Sequence, residues 1–214
     1  MPTCALIDYG SGNLRSAEKA LRKAAATLAN NQEVIVTADP DAVARADRIV
    51  LPGVGAFAAC KAALAGRSGL IEAIEQSVRR QGAPFLGICV GMQLMASHGR
   101  EFGQTPGLGW IGGEVRALAP ADRRCKIPHM GWNTLDAPRP EAIFAGLPQG
   151  VHMYFTHSFA FFPDDPRHVA AWSDHGGRFA AAVLHDNLAG VQFHPEKSQA
   201  DGARLLANFL GWCP

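Results

Sequence analysis

The sequence lacks the features that mark membrane, secreted and nucleic-acid-binding proteins. No stretch approaches the roughly eighteen apolar residues of a transmembrane helix, and the N-terminus, MPTCALIDYG, has no basic segment followed by a long apolar one. Lys and Arg form no long run, and the formal net charge of the 214 residues is +1. We therefore expect a soluble, cytoplasmic protein that binds neither membranes nor nucleic acids.

Cysteine and histidine also lack the spacings of disulfide and metal sites. The five cysteines are an odd number at scattered positions, which argues against a disulfide framework, and four of them are interpreted as incidental thiols. Those four are Cys4, Cys60, Cys125 and Cys213. Seven histidines show no metal-ligand spacing with cysteine or carboxylates, so we expect no metal and no cofactor. They are His98, His129, His152, His157, His168, His175 and His185.

The first half of the chain contains alternating strand and helix patterns. Apolar or β-branched runs predict four strands, at CALIDY, EVIVT, RIVLPG and APFLGI. Helices are predicted between them, over residues 13–29, at DPDAVARAD and over residues 56–80, and after the last strand at VGMQLMAS. Such an alternation is typical of a parallel sheet with helices on both faces.

The second half contains short strand candidates and one closing helix, at about Asp201 to Leu210. The candidates are LGWIGGEVRAL, HMGWNTL, VHMYFTHSFAF, HVAAWS, FAAAVLH and LAGVQFH. No linker or internal repeat separates the two halves. We therefore predict that residues 1–214 form one α/β domain, with a mixed, mostly parallel central sheet flanked by helices and extended by antiparallel strands.

Cys89 lies in GICVG, where a strand is predicted to become a helix. Ligands gather at the carboxyl ends of parallel strands, and a G-x-nucleophile-x-G elbow pushes its nucleophile into the open at such a turn. The glycines permit a crowded, strained turn, and the N-terminus of the next helix favours a thiolate. The pattern alone leaves a buried core cysteine equally possible.

The segment VQFHPEK contains a candidate base for this thiol. An apolar strand ends at His194, and Glu196 follows two positions later, on the same side of an extended chain. We expect Glu196 to hydrogen-bond one ring nitrogen of His194 and leave the other nitrogen facing the thiol.

Two loops are rich in glycine. LPGVGAF, residues 51–57, follows a predicted strand and can turn backbone N–H groups toward an oxyanion, although a plain strand–helix turn has the same pattern. DYGSGN near residue 10 lacks the G-x-G-x-x-G and P-loop spacings, so no nucleotide site is predicted there.

Together, GICVGMQL, FHPEK and PGVG make the chain similar to the class I glutamine amidotransferases, whose triad is Cys, His and Glu. Within that class, DYGSGNLRS, PGVGAF, KIPHMGWN, YFTHSF and FHPEKS resemble the glutaminase subunits of imidazole glycerol phosphate synthase, in histidine biosynthesis. These motifs extend from residue 8 to residue 198, and PHMGWN is the most specific of them. The resemblance implies the fold of class I glutamine amidotransferases.

The resemblance also implies a catalytic mechanism. Cys89 would be the nucleophile that attacks the side-chain amide of glutamine, His194 the general acid/base, and Glu196 its orienting carboxylate. Ammonia would leave, and water would hydrolyse the glutamyl thioester.

An oxyanion hole is implied by the same resemblance. The backbone N–H groups of Val90 and Val54 would hold the developing charge, and Gly53 and Gly55 would let the strand around Val54 reorient.

Five residues are implied to bind L-glutamine. They are Gln93, Glu101, His157, Ser158 and Phe159. The chain departs from the usual family pattern in two places. Phe159 stands where tyrosine is common, which removes a hydroxyl, and Ala96 and Ser97 stand where bulkier or acidic residues are frequent.

Only one helix is predicted after His194, so we expect the reaction that consumes the ammonia to lie on another chain. The resemblance implies a heterodimer with a (β/α)₈-barrel cyclase, which makes imidazole glycerol phosphate and an aminoimidazole carboxamide ribotide. The residues implied to face this partner are Asn13, Pro128, His129, Met130, Trp132, Asn133, Tyr154 and Lys197.

Two alternatives stay open, beside a free-standing thiol hydrolase for which the sequence offers no identifiable second substrate pocket. One is the glutaminase of another synthase, of the anthranilate or pyridoxal phosphate type, against which PGVG and PHMGWN argue. The other is a scaffold without activity that only stabilises a partner, against which the Cys89, His194 and Glu196 set argues.

Overall fold

Strands and helices alternate up to the elbow in the computed structural model, which describes residues 1–29, 32–122, 124–136 and 138–214. The apolar residues of the interior strands are buried, as a parallel sheet requires, whereas Val36 in the edge strand EVIVT is exposed. The elements are β1 (Thr3–Ile7), α1 (Leu14–Ala25), β2 (Glu33–Thr37), α2 (Pro40–Arg45), β3 (Arg48–Gly53), α3 (Phe57–Ala65), α4 (Leu70–Glu75), β4 (Phe85–Cys89) and α5 (Val90–Gln93). A π-helical turn, Gln76–Arg80, follows α4.

The rest of the chain consists mainly of short strands. They are β5 (His98–Gly99), β6 (Thr105–Pro106), β7 (Gly113–Ala117), β8 (His129–Thr134), β9 (His152–His157), β10 (Phe159–Pro163), β11 (Val169–Asp174), β12 (Arg178–His185) and β13 (Leu188–Val191). Three 3₁₀ turns, Ala142–Phe144, Pro166–His168 and Pro195–Lys197, separate some of them, and α6 (Gln199–Gly211) follows the last turn.

The central sheet has seven strands in the order β11-β12-β13-β4-β3-β1-β2. The pairs within β13-β4-β3-β1-β2 are parallel, and β12 and β11 extend the sheet antiparallel. The prediction of a mixed, mostly parallel sheet with helices around it is therefore confirmed. β4, which carries Cys89 at its end, lies between β13 and β3, so the elbow lies in the middle of the sheet.

The other strands of the second half form two separate small sheets. One has the order β10-β7-β5-β6, and the other is the hairpin β8-β9. The segment VHMYFTHSFAF, predicted as a single strand, divides at Ser158 into β9 and β10, which belong to different sheets. This division matters for the site because it places the Ser158 stretch at a junction between two sheets.

Two helices end earlier than predicted. The first, predicted over residues 13–29, ends at Ala25, where the hydroxyl and the backbone N–H of Thr27 both donate to the Ala24 carbonyl and tighten the last turn. α5 ends at Gln93 because the carbonyls that a longer helix would use, such as Leu94 and Ala96, accept from the N–H groups of residues 107–110. Cys89 therefore precedes only four helical residues, and the helix dipole there is weaker than predicted.

Candidate active site

Cys89 is the last residue of β4, and the backbone turns sharply at this residue. Its φ of 54° and ψ of −111° are a combination that costs a non-glycine residue on the order of 1–3 kcal/mol. The turn also brings α5 against β3, so closely that a Cβ on Gly91 would overlap the Leu51 carbonyl oxygen. The strained strand-to-helix turn predicted from GICVG is therefore present.

The thiol lies at the floor of a cavity. Cys89 is only 4% exposed, and the cavity has a volume of about 340 Å³, within the range of small-molecule sites. The expectation of a thiol pushed into the open is thus wrong, because the neighbouring strands and loops enclose it. The cavity is lined by Val54, Gly55, Cys89, Val90, Gln93, Glu101, Pro128, Thr156, His157, Ser158, Phe159, His194 and Lys197.

His194 lines the same cavity and is paired with Glu196. Its Nδ1 lies 2.8 Å from Glu196 Oε1, and both side chains are 3% exposed. The predicted contact is present, but its predicted geometry is wrong. Pro195 begins a 3₁₀ turn, so the chain at Glu196 is curled rather than extended, and the turn brings the carboxylate to the ring.

Ser198, which the sequence reasoning missed, fixes the backbone of His194. Its hydroxyl donates to the His194 carbonyl at 2.7 Å and accepts from the Tyr154 N–H at 3.0 Å, while the His194 N–H donates to the Tyr154 carbonyl at 2.8 Å. The turn that carries His194 is thereby tied to β9.

The pKa of His194 reflects its burial and its two neighbours. Burial lowers the pKa, but the proximity and charge of Cys89 and the hydrogen bond and charge of Glu196 outweigh burial and raise it to about 9. Among the described residues, His194 Nε2 makes no well-aligned hydrogen bond, so the sulfur acts on it from nearby without a formed bond. A protonated imidazole at neutral pH, in reach of a thiol, is suited to stabilise a thiolate.

Gln93 lines the cavity with one end of its amide engaged inside the protein. Its Nε2 donates to the Phe159 carbonyl at 2.9 Å and to Gln192 Oε1 at 3.0 Å. Gln192 Nε2 in turn lies 3.7 Å from the Cys89 sulfur. Gln192 is completely buried and was missed; a glutamine within the apolar run LAGVQF, directly before FHPE, is the signal that could have found it.

Glu101 lies in the cavity wall, and it also contacts the start of α3. Its Oε2 accepts from the Phe57 N–H at 2.8 Å. The N-terminus of a helix attracts a carboxylate, so this contact holds α3 and the glycine-rich loop that precedes it. Phe102, the next residue, has a φ of 56° and is 94% exposed.

The glycine-rich loop after β3 lies beside the elbow. Gly53 pairs with Cys89, and Val54 and Gly55 line the cavity. The Val54 carbonyl accepts from the Ser11 hydroxyl at 3.0 Å and from the Cys60 thiol at 3.2 Å. Gly55 has a φ of +90°, so the loop turns in a way that favours glycine there. Cys60, interpreted as an incidental thiol, therefore helps to hold this loop.

An exposed patch borders the cavity, and we call it the hairpin face: Met130, Trp132, Tyr154 and Lys197. Trp132 and Tyr154 are cross-strand partners with ring centroids 6.0 Å apart, and the Lys197 ammonium lies 5.5 Å from the Tyr154 ring centroid. Met130 is 64% exposed. Pro128, also exposed, lies at the start of the same hairpin and lines the cavity.

Two of the residues predicted to face a partner are directed inward instead. His129 is 4% exposed because side chains alternate along β8, so it lies on the opposite side from Met130. Asn133 donates to the Asp174 carbonyl at 2.8 Å and lies 3.2 Å from His129 Nε2. Asn13 is exposed at the start of α1, beside a small cavity that also touches Glu196.

Within the described ranges, no group of three or more His, Cys, Asp or Glu side chains could hold a metal ion. No helix among these residues has the length and apolarity needed to cross a membrane.

The contact at Gly91 leads to a first prediction. Gly91→Ala would force α5 away from the Leu51 carbonyl, so we expect a loss of about 2–3 kcal/mol in the free energy of unfolding and a displaced thiol. Chemical denaturation measures the first effect, and the rate of Cys89 alkylation measures the second. Gly177→Ala is the matched control, since a Cβ there meets nothing within 4 Å. Equal stability of the two variants would contradict the prediction.

Known proteins resemble this chain in both sequence and structure. The family model "Glutamine amidotransferase class-I" matches residues 5–212. Two solved glutamine amidotransferases have similar structures. One has a TM-score of 0.71 at 17% identity, covering 97% of each chain. The other, from Thermotoga maritima, has a TM-score of 0.59 at 19% identity, covering 91% of this chain and 76% of its own. At such identities the likeness concerns the fold.

Curated relatives are much closer in sequence. The imidazole glycerol phosphate synthase subunit HisH of Caulobacter vibrioides is 61% identical over the whole of both chains. The subunit of the same name from Rhodospirillum rubrum is 56% identical, over 98% of this chain and 99% of its own. The chain therefore belongs to the class I glutamine amidotransferases and, within them, to the family of imidazole glycerol phosphate synthase subunit HisH.

Proposed function

We propose that this protein is the glutaminase subunit of imidazole glycerol phosphate synthase, acting in the cytoplasm in histidine biosynthesis. The observation that carries the proposal is the meeting of Cys89 and the His194–Glu196 pair in one cavity, in a chain 61% identical to a HisH subunit. All five residues implied to bind glutamine line this cavity as well.

The reaction begins at the thiolate. Cys89 adds to the side-chain carbonyl carbon of glutamine, and the carbonyl oxygen takes up negative charge. The Val90 N–H is suited to hold this charge because it lies in the first turn of α5, where an N–H has no acceptor within the helix. The Val54 N–H supplies a second donor when the glycine-rich loop turns it inward. Each such donor is worth on the order of 10² or more in rate.

His194 then completes the proton transfers. Its imidazolium gives a proton to the leaving nitrogen as the carbon–nitrogen bond breaks, and ammonia departs from a glutamyl thioester. The neutral ring next takes a proton from water, which attacks the thioester and releases glutamate and the thiolate. Glu196 keeps the ring orientation constant through both steps, because its carboxylate holds Nδ1.

The cavity offers complementary groups for the rest of the substrate. The α-ammonium group of glutamine is matched by Glu101, whose Oε2 is engaged by Phe57 while Oε1 remains for a ligand. The amide oxygen of Gln93 is also left for the substrate, since its Nε2 makes two internal hydrogen bonds. Ser158 and Phe159 contribute backbone groups, so the absent tyrosine hydroxyl removes no backbone contact.

The ammonia is used by a (β/α)₈-barrel cyclase bound over the hairpin face. Trp132 and Tyr154 there combine apolar area with a polar atom, as interface residues commonly do. Lys197 lines the cavity and stacks near Tyr154, so it links the site to the same surface.

Glutamate release tests the proposal. With glutamine present, we expect slow release by the free subunit and at least a tenfold faster rate when the cyclase carries its nucleotide ligand. The same assay with an anthranilate-type or pyridoxal phosphate-type synthase serves as the control. Stimulation by one of these and not by the cyclase would reassign the pathway. If glutamine fails to protect Cys89 from alkylation, the result favours a scaffold without activity.

A further inference from the structure

The Phe159 carbonyl is the meeting point of two hydrogen-bonded branches. It lies 2.9 Å from His157 Nδ1 and 2.9 Å from Gln93 Nε2. A carbonyl oxygen only accepts, so both neighbours must donate to it, and its two lone pairs are then occupied. This one atom therefore dictates the direction of every hydrogen bond on either side.

The first branch leads to β8. His157 carries its hydrogen on Nδ1, so in the neutral ring Nε2 is an acceptor, and His129 Nδ1, 2.9 Å away, must donate to it. His129 Nε2 is then an acceptor as well and receives the Asn133 amide at 3.2 Å. Burial supports neutral rings, since it lowers the pKa of His157 to about 3 and that of His129 to about 4.

The second branch leads to the thiol. The remaining hydrogen of Gln93 Nε2 goes to Gln192 at 3.0 Å, which identifies that atom of Gln192 as its oxygen. The Gln192 amide nitrogen is thereby directed at the Cys89 sulfur, 3.7 Å away. Gln93 and Gln192 are both buried, at 3% and 0% exposure, so bulk water has little access to these hydrogen bonds.

The two branches join the hairpin face to the catalytic thiol. His129 is the sequence neighbour of Met130, and His157, its cross-strand partner, links it to the Phe159 carbonyl. His129, Met130 and Trp132 belong to one short strand, β8. A partner that contacts Met130 or Trp132 and displaces β8 therefore moves His129 as well. A phenylalanine in place of His129 could pack there but could not donate a hydrogen bond to His157.

We propose that His129 and His157 are positioning residues, which hold the Phe159 carbonyl, and through it Gln93 and Gln192, in the arrangement that receives glutamine at Cys89. The pair also couples β8, the partner-facing strand, to that arrangement. This inference rests on the proposed glutaminase function for its kinetic consequence, whereas the direction of the hydrogen bonds is independent of activity.

The first test reads the hydrogen positions directly. In the ¹⁵N-labelled full-length protein near neutral pH, histidine NMR should show His129 and His157 both neutral and both protonated at Nδ1. Variants of each residue assign the signals. A hydrogen on Nε2 of either ring overturns the chain of donors, whatever the protein catalyses.

The second test is kinetic and uses the complex with the ligand-loaded cyclase. His129→Phe keeps an aromatic ring but leaves His157 Nε2 without its donor, so we expect the KM for glutamine to rise roughly tenfold and the stimulation by the cyclase to fall by a similar factor. His129→Asn restores a donor at the Nδ1 position and should recover most of both. Phe155→Leu is the matched control, because Phe155 stacks on His129 without a hydrogen bond.

The outcomes separate the two proposals. If Phe155→Leu and His129→Phe change KM and stimulation equally, or if His129→Asn rescues neither, the pair only packs and the inference is wrong. If the wild-type complex releases no glutamate, the proposed function fails instead. In that case the NMR assignment, together with glutamine protection of Cys89 from alkylation in the same variants, still decides the positioning role.

Discussion

Cys89→Ala is expected to abolish glutamine hydrolysis while leaving the protein folded. Removing the nucleophile of a comparable hydrolase lowers kcat by on the order of 10⁶-fold, because the covalent route is lost. The substitution removes one atom from the cavity floor and adds none, so the thermal midpoint should change little. Glutamate release in the presence of the ligand-loaded cyclase measures the activity, and differential scanning calorimetry measures the fold.

The other cysteines provide the controls for that experiment. Cys125 and Cys213 lie outside the cavity, and Cys213 is exposed at the end of the chain. The control variants are Cys125→Ser and Cys213→Ser. Both variants should retain the wild-type rate. Substantial turnover by Cys89→Ala would mean that another group attacks the amide, and the assignment of the nucleophile would then be withdrawn.

Glu196→Gln is expected to lower kcat by roughly 10²- to 10⁴-fold and to lower the pKa of His194. Burial of the ring and its interaction with Cys89 remain in the variant, whereas the Glu196 charge and its charge-assisted hydrogen bond are lost. The pKa should therefore fall from about 9 toward neutrality. Histidine NMR of both proteins and the alkaline limb of the rate profile measure the change.

Stability provides an independent readout of the same pair. The folded pKa of His194 is above its ordinary value of 6.5, so its contribution is fully present below pH 6.5 and is lost as the pH rises through about 9. The stability difference between wild type and Glu196→Gln should accordingly be largest below neutrality and shrink above pH 9. Glu75→Gln, at an exposed carboxylate at the end of α4, should show no such trend. A pH-independent difference would contradict the pairing.

Local patterns predicted much of the architecture and part of the site. Alternating apolar runs and capping signals depend on neighbours in sequence, so the order of β1 to α5 and the strained turn at Cys89 could be read directly. Glu196 could be assigned to His194 for the same reason, since a single intervening residue leaves few places for its carboxylate. Even there, Pro195 produced a 3₁₀ turn that an extended-chain argument did not anticipate.

The tertiary structure alone decided which distant groups meet. Gln192 reaches the Cys89 sulfur across 103 positions of sequence, and Glu101 reaches the start of α3 across 44. The inward direction of His129 depends on the pairing register of β8 with β9. Side chains alternate with a period of two, so a register shifted by one residue would turn His129 to the other face, and the sequence pattern does not choose between the two registers. Sequence by itself determined the chemistry of the residues and their local turns. Packing between separate strands determined which of those residues touch, because contact across a sheet depends on register and burial rather than on proximity along the chain.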